Sequence, residues 1–198
     1  MKLKFLGDAL DHWKGSIFEA LQSSNILENF LVDGMISDID NWAPEHMSLY
    51  AKLLRVKRHQ IIEHKAHLGI NRKNYFDEIP HFGDLFVDPD TGIMPRSGGD
   101  ITHIKHEELF SLMNYKRKRV VAVYQHGSRN MALKSRVEEV LNMLRSVHPN
   151  CYCASYDSSS CNVALLFVSF QRDRIAAVNG YFRKFLGSLA NDRIGVWV

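Results

Sequence analysis

The sequence predicts a three-layer α/β protein whose mostly parallel sheet carries an antiparallel hairpin near its C-terminal end. Three observations predict it. Short apolar runs alternate with amphipathic helical segments, which implies parallel strands joined by right-handed crossovers. Two strand-like stretches late in the chain, 151–156 and 162–170, are separated by little more than the serine-rich turn 157–160. The composition, 45 % apolar and 24 % charged over 198 residues, is that of an ordinary folded domain, here spanning residues 1–198.

Each element has its own warrant. Leu10, Trp13, Ile17 and Leu21 recur at helical spacing over 9–22, with Asp8 placed to cap and Asp11 in the first turn. Gly15 weakens that helix by about 1 kcal/mol relative to alanine. The second half of 26–33 reads as a buried strand ending on Asp33-Gly34, and Pro44 opens a helix over 45–68 closed by Gly69. Residues 84–88 form a compact apolar strand stopped by Pro89-Asp-Thr-Gly92. A polar loop over 96–100 and a short helix over 105–114 lead to a second buried strand, 120–124. Ser128 is placed to cap the next helix, which carries Leu133, Val137, Val140, Leu141 and Leu144 on one face. After the hairpin, Ile175, Val178, Phe182, Phe185 and Leu189 mark a last helix, and 194–198 a last strand.

The formal charge of +3 is too mild to name a partner. No stretch approaches the roughly 20 consecutive apolar residues of a membrane span, and no signal peptide is expected. All three cysteines lie between Cys151 and Cys161, which suits a reducing, cytoplasmic setting better than a disulfide scaffold. Cys151 and Cys153 are read as pointing to opposite strand faces, which argues against chelation, and no zinc motif surrounds His59, His64 and His67. A Walker A loop and a nucleophile elbow are absent.

In α/β sheets chemistry gathers at the carboxyl ends of strands, near the point where strand order reverses. That rule selects Asp33, Asp88 with Asp90, and His126 as groups that can share a crevice. Asp88 and Asp90 can bind a cation, orient an amine or hydrogen-bond a ribose, or simply stabilise a turn. His126 can serve as a base, and Arg129 can clamp phosphate or carboxylate. Asp11 and Lys14, three apart on a helix, read first as a surface ion pair worth a few tenths of a kcal/mol. Between residues 52 and 73 seven lysines and arginines face the single acid Glu63, a stretch able to neutralise phosphates or to form a solvated helix face. Lys116-Arg-Lys-Arg119 is a second basic run. The haloacid-dehalogenase pattern of Asp-x-Asp-x-Thr is not met, because Gly92 stands at the position of its last residue.

Three blocks, Gly7-Asp8-x-x-Asp11-x-x-Lys14, Asp88-Pro-Asp-x-Gly92 and Tyr124-Gln-His126-x-x-Arg129, resemble in content and order an uncharacterised bacterial family. That resemblance implies a functional role for Asp8, Asp11 and Lys14 and no particular activity. Thr91, Gly127 and Ser128 depart from its pattern. More distantly, Asp88-Pro-Asp-Thr91 after an apolar strand resembles the Asp-Pro-Pro-Tyr loop of Rossmann-fold methyltransferases that modify adenine N6. This resemblance implies a Rossmann-like sheet, S-adenosylmethionine as cofactor beside Asp33-Gly34, and Asp88 accepting from the target amine. The loop after Asp33 is not glycine-rich, and only 55 positions separate it from Asp88, so either the sheet is trimmed or the cofactor is not S-adenosylmethionine.

The leading expectation is thus an enzyme directed at nucleic acid or a nucleotide. Its catalytic group is Asp88, Asp90, His126 and Arg129, and its cofactor group is Asp33, Gly34, Asp8, Asp11 and Lys14. The alternatives are a magnesium-dependent phosphodiesterase, with Asp33, Asp88 and Asp90 holding the ion and His126 activating water, and a non-catalytic nucleic-acid or nucleotide binder.

Overall fold

The computed structural model describes residues 1–96, 98–113, 118–128 and 130–197. Among them it is an α/β protein built on one six-stranded mixed sheet and a small two-stranded one. The strands of the large sheet are β1 (Leu31–Asp33), β2 (Leu85–Val87), β5 (Val121–His126), β6 (Tyr152–Ser158), β7 (Val163–Ser169) and β8 (Ile194–Trp197). The small sheet pairs β3 (Gly92–Ile93) with β4 (His103–Ile104). Strand order in the large sheet is β1-β2-β5-β7-β6-β8. β1, β2 and β5 are parallel neighbours, in register Asp33↔Val87 and Val87↔Val123. The remaining pairings are antiparallel, so the antiparallel part extends beyond the β6–β7 hairpin to β8.

Helices cover the sheet because its strands are apolar on both faces. On one face Leu85, Val87, Val121 and Val123 meet α3 (Arg72–Asp77), α4 (His106–Leu112) and α5 (Leu133–Val147). On the other, Val32, Phe86 and Ala122 meet α1 (Ala9–Ser23), α2 (Pro44–Leu53) and α6 (Arg172–Leu186). A short helix, α7 (Ala190–Arg193), precedes β8. Gly15 has a packing reason: a Cβ there would lie 2.1 Å from the Leu53 carbonyl oxygen, so glycine lets α1 cross close over the end of α2.

The expected long helix over 45–68 is corrected. It ends at Leu53, Arg55 takes a left-handed φ of 54°, and Val56 N–H turns back to the Ala51 carbonyl. The chain then passes through a 3-10 turn, and Ile61 forms a parallel bridge to Val32 on the edge of β1 away from β2. Burying Ile61 there outweighs continuing the helix. Ser128 does not cap α5, whose N-cap is Ala132; its hydroxyl instead accepts from Asn130 N–H. Cys151 and Cys153 lie in one core with their sulfurs 3.7 Å apart, because residues two apart along extended chain share a face. Among the described residues no helix is long and apolar enough to cross a membrane.

Candidate functional site: two cavities at the strand ends

The carboxyl ends of β1, β2 and β5 lie side by side, and the expected acids emerge there. Asp88 follows β2 and is buried. Its Oδ2 accepts from the Lys14 ammonium at 2.8 Å and the Tyr50 hydroxyl at 2.7 Å. Lys14 also pairs with Asp11 at 2.8 Å. Asp11 and Lys14 are only 2 % and 4 % exposed, so the surface ion pair read from their spacing is corrected to a buried Asp11–Lys14–Asp88 cluster. Burial works to lower the Lys14 pKa, but Asp88 and Asp11 outweigh it and hold the amine above the usual lysine range. Asp8 caps α1, its Oδ1 accepting from Leu10 and Asp11 N–H, and Asp11 Oδ2 accepts from Gly7 N–H, so the loop entering α1 is tied to the cluster.

A cavity of about 150 Å³ opens on this cluster. Asp8, Asp11, Lys14, Asp88, Asp90 and His126 all line it, together with Phe5 and Tyr124. His126 Nε2 lies 3.1 Å from the Tyr124 hydroxyl, and burial pushes its imidazole pKa down despite nearby Asp88. The Tyr124 ring receives Lys14 at 4.9 Å, and burial followed by Asp88 raises its phenol. The Met1 amino group donates to the Gly34 and Met35 carbonyls and lies 3.5 Å from Asp90. Arg129 falls outside the described residues.

Gly92 fixes the loop after Asp90. At φ 124° its ideal Cβ would sit 2.4 Å from Gln125 Oε1. That oxygen is not free to move, since it accepts from Ile93 N–H while Gln125 Nε2 donates to the Thr91 and His126 carbonyls. Gln125 thereby couples β3 and the residue before it to the end of β5.

Asp33 and Gly34 line a different cavity of about 270 Å³, beside Trp42, Met47, Arg58, His64 and Tyr75. The Asp33 carboxylate is held through Oδ1 by the Tyr75 hydroxyl at 2.5 Å, Met35 N–H at 3.0 Å and His64 Nε2 at 3.2 Å. Among the described residues its Oδ2 is buried with no hydrogen-bond partner. His64 stacks on Tyr75 with centroids 3.7 Å apart. Tyr50, Trp42, His64 and Tyr75 were not singled out as site residues. The roles of Tyr50, His64 and Tyr75 rest on contacts across tens of positions, which no local spacing signals.

The shared crevice is thus resolved into two compartments, Asp33 in one and Asp88, Asp90 and His126 in the other. Among the described residues no group of three or more His, Cys, Asp and Glu is arranged to hold a metal ion. The basic stretch is largely neutralised: Arg55 pairs with Glu19, Arg58 with Glu63, Arg72 with Glu108 and Lys73 with Asp77. In the second basic run, Lys116 and Arg117 lie outside the described residues, Lys118 is 3.8 Å from Asp173, and Arg119 is buried, donating to the Leu112 carbonyl. A scan against protein-family models gives no match, and a search of curated proteins finds none significantly similar.

Proposed function

We propose that this chain is a group-transfer enzyme on a reduced methyltransferase-like sheet, taking a nucleoside cofactor in the Asp33 cavity and an acceptor amine beside Asp88. The observation that carries the reading is the way Asp88 is held. Lys14 and Tyr50 both engage Oδ2, and among the described residues Oδ1 accepts no hydrogen bond. A buried, fixed carboxylate with one oxygen at a cavity wall is suited to orient an amine N–H, and orientation is most of the catalysis in such a site.

S-adenosylmethionine is the candidate cofactor, and when bound it would supply an electrophilic methyl group. The residues present fit it in three respects. Asp33 Oδ2 is an orphaned buried acceptor awaiting a hydroxyl or amine. Trp42 and the stacked His64–Tyr75 pair offer aromatic surface to a base. The cavity lies at the carboxyl end of β1, from which the chain bridges on one flank at Ile61 before returning on the other as β2. The loop after Asp33 departs from the glycine-rich one that the methyltransferase resemblance implies, which weighs against this cofactor.

The nucleic-acid form of this reading gains little from the basic stretch, most of whose cations are paired. The magnesium-dependent alternative needs Asp33, Asp88 and Asp90 around one ion, and among the described residues no such group is arranged to hold one. The transfer reading needs the two cavities to communicate, and they adjoin at the Met1 amino group, which lines the Asp88 cavity and donates to the carbonyl of Gly34 in the Asp33 cavity. Calorimetric titration with S-adenosylmethionine tests the proposal. Saturable heat is expected from the wild-type chain and should be lost in Trp42→Ala; no heat at millimolar ligand overturns it.

A further inference from the structure

The cavity at Asp88 has a charge character that narrows the acceptor. Four carboxylates line it, Asp8, Asp11, Asp88 and Asp90, against Lys14 and the Met1 amino group. Lys14 is consumed between Asp11 and Asp88. Burial pushes the Met1 amino group below its ordinary value, towards neutrality, and the same effect disfavours a charge on His126. With four carboxylates against two cations the lining is net negative, although burial also raises the Asp11 carboxyl. Asp88, 2 % exposed, adds an oxygen that accepts no hydrogen bond among the described residues, so an N–H donor is the complement the site lacks. Phe5, also in the lining, is exposed, and its ring receives Lys4 at 4.7 Å, a cation next to the cavity that offsets part of its negative charge. At about 150 Å³ the space suits one small group, comparable to a cavity that holds a benzene ring.

We infer that the acceptor is a small cationic amine rather than a base within a polynucleotide. The phosphates of a nucleic acid would approach a wall of carboxylates, which like-charge repulsion opposes. A protonated amine is drawn in by the same wall and donates to Asp88 Oδ1, and it must release one proton to water before its nitrogen lone pair can accept a transferred group. This inference rests on the transfer reading above for its purpose, but the binding itself does not require the cofactor.

The test is titration of the full chain with butylammonium and with putrescine at low salt, without S-adenosylmethionine, followed by calorimetry and NMR. Saturable binding is expected. It should weaken at least tenfold in Asp90→Asn and in Asp8→Asn, the latter keeping the cap of α1 because asparagine also caps helices. Asp77→Asn, a surface change on α3 that lines neither cavity, should leave it unaltered. An adenine-containing single-stranded oligonucleotide should not bind at physiological salt. Oligonucleotide binding without amine binding, or amine binding indifferent to Asp8 and Asp90, overturns the inference. If S-adenosylmethionine binds and the amines do not, the inference falls while the transfer reading stands. Amine binding without any S-adenosylmethionine heat supports the amine site and removes the transfer reading.

Discussion

The ammonium of Lys14 lies 2.8 Å from Asp88 Oδ2, across 74 positions of chain, and joins helix α1 to the end of strand β2. Buried charges of this kind are expensive to separate, because removing one partner leaves the other uncompensated in a medium of low dielectric. Lys14→Met strands both Asp11 and Asp88. It should destabilise the fold by about 3–5 kcal/mol, read as a lower urea midpoint at unchanged slope. A cost below about 1 kcal/mol, the range of surface pairs, would show that the cluster is solvated.

Gly92→Ala should be costly for two separate reasons. The left-handed φ of 124° strains any side chain, and the new Cβ meets a Gln125 amide whose bonds to Ile93, Thr91 and His126 resist its retreat. A loss of about 1–3 kcal/mol is expected. Because Gln125 bonds the His126 carbonyl, the His126 ring resonances should shift as well. An alanine variant with native stability and unshifted His126 signals would refute the coupling.

Part of this arrangement was legible in the sequence and part was not. Apolar runs ending at Asp33, Asp88 and Tyr124 marked three parallel strands, the last of which runs on to His126, because burial on both faces leaves near-continuous apolar sequence. The cap at Asp8 was equally local. Periodicity misjudged 45–68, since the left-handed turn at Arg55 is made by a residue with no special liking for it and is closed by backbone bonds from Arg55 and Val56 to Lys52 and Ala51, which side-chain spacing does not announce. Lys14 looked like a surface residue because spacing along one helix carries no information about Asp88. Tyr50 and Tyr75, which fix the two carboxylates, were invisible for the same reason. Capping and strand burial are written in neighbouring residues, whereas hydrogen bonds between distant elements are not.

The buried imidazole of His126 predicts a pH dependence. Burial pushes its pKa below the ordinary 6.5, so the unfolded chain takes the proton first as pH falls. Its contribution to stability is therefore complete above the unfolded value. It declines as pH drops through that value and levels off below the folded one. His126→Gln cannot titrate. The stability difference between wild type and variant, from urea unfolding at about pH 7 and about pH 5, should shrink or reverse towards the acid end. A difference that is flat or grows on acidification would contradict a depressed imidazole.

Asp33→Asn separates the structural and ligand-facing halves of one side chain. The amide oxygen can still accept from the Tyr75 hydroxyl and Met35 N–H at the position of Oδ1, so the fold should lose only about 1 kcal/mol. The amide nitrogen then stands where Oδ2 had no partner, replacing an acceptor with a donor. A ligand that offers hydroxyl or amine hydrogens to that point would meet a donor facing a donor, and its affinity should fall roughly 10- to 100-fold, the cost of one unmatched buried hydrogen bond. Calorimetry with S-adenosylmethionine reads the affinity and urea unfolding reads the fold. Affinity unchanged beside intact stability would mean that Asp33 Oδ2 does not meet the ligand, and a collapse in stability would mean that the carboxylate charge itself is structural.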